Sequence, residues 1–399
     1  MEVENLFFIL AKPFIHHISA VMLFVLLFNL GFFLLYPLLK KREILKKRSK
    51  LRLFLILSVI FFGIYLRLSL AYFGHGNHDL RSYEIVSNLI LKGENVYAKT
   101  YRYNYSPLWF LILGFLKRIS FCLSLAFIVR FFLTLVDLAS LYFLFKISKI
   151  KKIAFEKIAV GFFLNPISII LTGYHGQFEN LTILFILVGI FFYYKNKSFN
   201  KFSFISFTLA GIIKHSVFNQ ILIFLNKCFK KRKKIVLFFS LSTLLFLSTF
   251  LPYWKEGSNG IIKNVFMYGG LEKRYGISYF LVKLGLANLI KYYKYFFIAL
   301  LFSFPFFFKK KDLAMSCLGG FLTFLSFTSG ISDQYFVLPV AIGSITNSLF
   351  FYLYTLMGSL YLFGSSAQLD IQKYKLFSSN FIWLIVIFWF FKEIYDKKN

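Results

Sequence analysis

The chain has 399 residues, 58% of them hydrophobic, 22% aromatic and 16% charged, with a mean hydropathy of +0.69. An average soluble domain is about 45–50% apolar and about 25% charged, and a single soluble core that took in 58 Phe side chains would leave too little polar surface to coat the particle. A soluble globular fold is excluded; the composition is that of an all-α polytopic membrane protein.

The net charge of +31 lies mostly in short runs between apolar stretches, which points to membrane topology rather than to nucleic acid. Cys122, Cys228 and Cys317 are far apart and offer neither a disulfide framework nor a thiolate metal site.

The first apolar segment, 14–39, is preceded by Glu2 and Glu4 instead of a basic flank, which argues against a cleaved signal sequence. Eight basic residues follow between Lys40 and Arg52. Further segments near 51–72, 121–145, 153–172, 178–194, 235–254, 292–308, 313–330 and 379–391 are long enough to cross, some with tilt or local thinning. Residues 202–229 carry basic runs on both sides and Lys214-His215 in the middle, which predicts a hairpin of two short helices. Residues 335–364 must cross twice to keep the tail inside. The bundle then has about 11–13 helices. Basic runs at 146–157, 195–201, 227–234 and 309–311 and after Lys392 mark the cytoplasmic face. The outer face receives 73–120, 173–178, 254–291, 331–334 and 365–378.

Residues 73–120 are too polar to cross and too patterned to be a tether. Leu80, Tyr83, Val86 and Ile90 form one apolar stripe, opposite Arg81, Glu84, Asn88 and Lys92, and Gly93 suits the stop. This predicts a helix lying on the membrane surface. Pro107 to Arg118 is apolar but too short to span, and is expected to be a second interfacial helix.

Only 16 carboxylates exist. Asp79, Glu179 and Asp333 face the outer compartment and Asp137 lies inside an apolar span; an ionisable residue beside lipid is a functional candidate by default. Asp79 could equally be the N-cap of the surface helix. His75, His78 and Asp79 could instead ligate a divalent metal, which the sequence leaves open without requiring it. The turn carrying His175, Gln177 and Glu179 is more polar than a helical hairpin needs. Asp137 is expected to pair with Arg130 or a backbone donor. In the outer loop 254–291, Lys263, Lys273, Arg274, Lys291 and Lys294 stand beside Tyr268, Tyr275 and Tyr279. Such charge binds either a phosphate-bearing lipid ligand or anionic headgroups.

Thr100-Tyr101-Arg102-Tyr103, then Ser106-Pro107-Leu108, resembles the TYRYTPL stretch of the mannosyltransferases that add the first mannose of GPI anchors, within the GT-C superfamily of membrane glycosyltransferases. Arg130 to Leu144 with Asp137-Leu138 is similar to their next span. Asn165-Pro166 leading to Gly176-Gln177-Phe178-Glu179-Asn180 resembles their NP…RGN.E turn, and Ser332-Asp333-Gln334-Tyr335-Phe336 their SQYF segment. The resemblance covers roughly residues 51–395. The family's first-loop motif has two aspartates one residue apart; here it reads Asn77-His78-Asp79, and only the second acid is kept.

The resemblance implies a GT-C bundle over 51–399, with residues 1–50 an added transmembrane helix and basic cytoplasmic loop, outer loop 73–120 catalytic and 254–291 a second outer loop. It implies an inverting hexosyltransferase, with mannose the expected sugar, moving it from a polyprenyl-phosphate donor to a glycan or glycolipid acceptor on the extracytoplasmic face; membrane lipids surround it and no nucleic acid or nucleotide takes part. Asp79 is then the general base and Arg274 the first cation for the lipid phosphate, with Lys273 and Arg102 behind it. Glu179, His78, His175, Gln177, Tyr103 and Gln334 complete the polar wall. A composition rich in Phe, Lys and Ile suits an AT-rich prokaryotic genome and a plasma membrane. A transporter or flippase of lipid-linked sugars, or a non-catalytic scaffold of the same fold, are the alternatives; a transporter predicts inverted repeats and polar groups at mid-membrane on several helices.

Overall fold

The computed structural model describes residues 17–41, 49–268, 273, 275–346, 348–366, 368–369 and 379–395. It is 81% helical, with no strand among the described residues. In chain order the helices are α1 (Ile18–Lys41), α2 (Ser49–Phe73), α3 (His78–Leu91), α4 (Pro107–Arg118), α5 (Leu125–Lys151), α6 (Glu179–Asn196), α7 (Lys201–Ile213), α8 (Asn219–Cys228), α9 (Arg232–Ser248), α10 (Gly276–Lys283), α11 (Ile290–Ser303), α12 (Leu313–Phe327), α13 (Leu349–Ser365) and α14 (Ser379–Tyr395).

Among the described residues, five helical stretches are long and apolar enough to cross a membrane: 18–39, 50–73, 125–151, 232–266 and 287–308. A sixth forms if the bent pair Phe155–Phe163 and Pro166–Tyr174, which meet at 47°, is one span. Their outer surface is apolar, with Phe24, Leu34, Phe54, Phe61, Leu244 and Phe307 all more than 60% exposed, which suits lipid contact and not water. The expected 11–13 crossings therefore rest on shorter helices. Of these, α12 is almost wholly buried by its neighbours.

Three expectations change. Residues 254–266 continue the helix begun at Arg232 instead of forming the outer loop; Gly260 there packs so close to Tyr97 that an added Cβ would sit 2.0 Å from its carbonyl oxygen. The first leg of 335–364 is a 3-10 turn (Asp333–Val337) and a four-residue helix (Val340–Gly343), so among the described residues there α13 alone is a regular helix of more than one turn. The stripe of α3 is covered by protein rather than by membrane: Leu80, Tyr83 and Val86 are buried, the Tyr83 ring meets Trp109 of α4 edge-on at 5.6 Å, and Gly114 of α4 abuts Ile90. α4 itself spans the expected residues, and Lys117 pairs with Glu84 across the two helices at 2.5 Å.

The break at Asn165-Pro166 is built locally. Asn165 caps the new turn by accepting from the Ile167 amide (3.1 Å), and Pro166 takes the first helical position, where no amide donor is missed. π turns on both sides, 159–163 and 170–174, widen the helix. Asn29 of α1 donates to the carbonyls of Val160 (2.8 Å) and Leu164 (3.2 Å). The hairpin 201–228 forms as α7 and α8, joined by a 3-10 turn at His215–Val217.

Candidate functional site

At one end of the bundle, the start of α3, the turn 175–180, the α7–α8 break and the segment 333–335 come together. Asn77, not Asp79, caps α3: its side chain accepts from the Asp79 amide at 3.1 Å. The Asp79 carboxylate is thereby released, in the first turn, to accept from Gln177 Nε2 at 2.6 Å and Asn77 Nδ2 at 3.4 Å.

Asn77 Nδ2 also lies 3.2 Å from His175 Nδ1, and His175 Nε2 lies 3.0 Å from Ser366 Oγ. An amide donor at Nδ1 fits a neutral ring with its proton on Nε2. Burial, with the Arg130 guanidinium beside it, holds the imidazole down at about 4.

Beside this network lies an ion pair between Lys214 and Glu179, side chains 1% and 0% exposed. The Lys214 ammonium faces the rings of Tyr335, Tyr105 and Phe178 at 4.7, 4.9 and 5.0 Å, and lies within Coulombic reach of Asp79. Gln334 Nε2 donates to the Tyr105 hydroxyl at 3.3 Å. Asp333 accepts from Tyr361 (3.1 Å) and Ser365 (3.2 Å), and burial raises its carboxyl above the usual carboxylate range. Within this buried cluster Gln177 Oε1, Glu179 Oε2 and Asn180 Oδ1 have no hydrogen-bond partner among the described residues.

Of the residues expected to line a site, Asp79, Gln177, His175, Glu179 and Gln334 are brought together. Tyr103 is not: its hydroxyl is buried, donating to the Ser106 carbonyl (2.6 Å) and accepting from the Phe110 amide (3.1 Å). His78 is exposed, Arg102 is half-buried with no side-chain bond among the described residues, and Lys273 is exposed. Arg274 lies outside the described residues. Among the described residues no three His, Cys, Asp or Glu side chains are grouped to hold a metal, so the ligand set His75, His78 and Asp79 does not form; both histidines are exposed.

Asp137 pairs with Arg67 rather than with Arg130. Nε of Arg67 is 2.8 Å from the carboxylate and both side chains are 0% exposed. Thr172 adds a bond to Asp137 (2.8 Å) and accepts one from Asn180 (2.5 Å), which ties the ion pair to the site turn. Arg130 instead donates to the carbonyls of Ala71 (2.9 Å) and Gly74 (2.8 Å), closing the end of α2. Lys214 is the residue that sequence reasoning took only for a turn; a charge between two apolar runs was the signal.

No described protein family, curated protein or solved structure matches the chain.

Proposed function

We propose that the chain is a GT-C-type glycosyltransferase that moves a hexose, mannose first, from a polyprenyl-phosphate carrier to a glycan or glycolipid hydroxyl on the extracytoplasmic side. One observation carries this reading: a half-exposed carboxylate, Asp79, held by Gln177, lies at one end of an apolar bundle within Coulombic reach of Lys214, a buried residue paired with Glu179. The acceptor oxygen attacks the anomeric carbon from the face opposite the phosphate. The new C–O bond forms as the bond to the phosphate oxygen breaks, Asp79 takes the hydroxyl proton, and the carrier leaves as the lipid phosphate. Gln177 fixes the carboxylate for that task. Arg102 and Lys273, nearer the surface, supply positive charge on the leaving-group side, while Lys214, matched by Glu179, holds the polar wall behind them. No nucleotide enters these steps, and no step is routed through a metal.

The test is transfer of label from polyprenyl-phosphate mannose or glucose to a cell lipid extract. Asp79→Asn should lower transfer by at least about 100-fold while the thermal midpoint stays put. An unchanged rate removes Asp79 from the chemistry and favours a scaffold.

The buried Arg67–Asp137 pair beside π turns supports a second reading, a flippase of lipid-linked sugars, because broken helices around buried charge also mark translocation paths. Movement of labelled carrier across vesicles with no change of acceptor would favour it.

A further inference from the structure

The opposite end of the bundle holds a cavity that the proposed reaction does not use. α5 runs from Arg130, bonded to the loop before Asp79, down to Lys151, about 30 Å away at 1.5 Å per residue. There a cavity of about 460 Å³ opens between the ends of α5, α6, α12 and α14 and the approach to α13, a volume within the range of small-ligand sites. Ile147 and Met315 give it apolar walls.

Its lining carries two ammoniums, Lys151 and Lys392, and two carboxylates, Asp312 and Glu393. Asp312 is taken up twice, by the Lys151 ammonium at 2.7 Å and by the Tyr194 hydroxyl on its other oxygen. Glu393 accepts from the Trp389 indole at 3.2 Å and is 5% exposed. Among the described residues the Lys392 ammonium bonds the neutral Ser348 hydroxyl, at 3.0 Å, and no carboxylate. A half-buried ammonium with two donors to spare, over apolar walls at the level where membrane helices end, asks for an anion that carries a hydrocarbon tail. The basic run 146–157 ends at the same rim and raises the local positive potential.

We infer that this cavity seats the phosphate headgroup of an acidic membrane lipid, with Lys392 as the receiving charge. Free phosphate shares the headgroup's charge but leaves the apolar walls empty. The inference depends on the cavity alone and stands whether or not the other end transfers sugar.

The test uses the full chain in nanodiscs of phosphatidylcholine with increasing phosphatidylglycerol, reading the thermal midpoint and, by native mass spectrometry, the retained lipid. Wild type should keep one phosphatidylglycerol and gain stability saturably. Lys392→Gln should weaken the apparent affinity about fivefold, the loss of one cation at a charged surface, while Lys392→Arg keeps it. Lys149→Gln, an exposed residue of the same basic run outside the cavity, should change it less than twofold. Equal weakening by Lys149→Gln would reduce the effect to diffuse surface charge and overturn the site. Equal stabilisation of the protein in neutral lipid by millimolar inorganic phosphate, lost in Lys392→Gln, would assign the cavity to a free anion and overturn the lipid.

Discussion

An ammonium buried among three aromatic rings must have its charge matched, because removing a cation from water costs several kcal/mol. Glu179 is the match for Lys214, and the rings of Tyr105, Phe178 and Tyr335 add their negative faces. Lys214→Met alone strands a carboxylate and Glu179→Gln alone strands an ammonium; each should cost about 3–5 kcal/mol, read from thermal unfolding in detergent. The double variant Lys214→Met with Glu179→Leu should recover most of that stability and none of the transfer. Full transfer by the double variant would reduce the pair to packing. His175 makes a separate pH prediction. Its folded pKa of about 4 lies below the ordinary 6.5, so its contribution is complete above pH 6.5 and is lost as pH falls towards 4. The midpoint should drop across that window by the equivalent of a few kcal/mol, and His175→Gln should flatten the drop.

Helices were legible wherever a long apolar run met a basic flank: α1, α2 and α5 begin or end within a few residues of their expected bounds, as does the surface pair α3 and α4. Partner choice was not. Asp137 could have met Arg130, seven residues back on the same helix, but two helical turns separate those side chains, and Arg67 reaches it from α2. Asp79 looked like a cap because Asp caps helices, yet Asn77 performs that task and frees the acid. Nor did the sequence disclose that the α3 stripe would be sealed by α4, since amphipathicity fixes a face and not what covers it. The π turns make a prediction at this level. They turn the carbonyls of Val160 and Leu164 towards α1, where Asn29 meets both. Asn29→Leu removes both bonds at similar volume and should destabilise the bundle by about 1–3 kcal/mol. An unchanged midpoint would show that α1 docks by packing alone.

Across the whole molecule, every contact of the candidate site lies at the end where α2 finishes and α5 and α6 begin, and the Lys151–Asp312 and Arg52–Glu156 pairs lie at the other. The basic runs at 146–157, 195–201 and 227–234 collect at that second end, so retention of positive charge in the cytoplasm would set Asp79 outside. The native cysteines make this measurable. Cys122, in the turn between α4 and α5 at the Asp79 end, is exposed, whereas Cys228 is half-buried and Cys317 buried. A membrane-impermeant thiol reagent added to intact cells should label Cys122, and Cys122→Ser should abolish the signal. A cysteine placed at Ser198, exposed just beyond α6 at the other end, should react in a Cys122→Ser background only after permeabilisation. The reverse pattern would turn the bundle over. Asp79 would then face the cytosol, where nucleotide sugars are at hand, and the reason for a lipid-carried donor would be gone even if every distance at the site were correct.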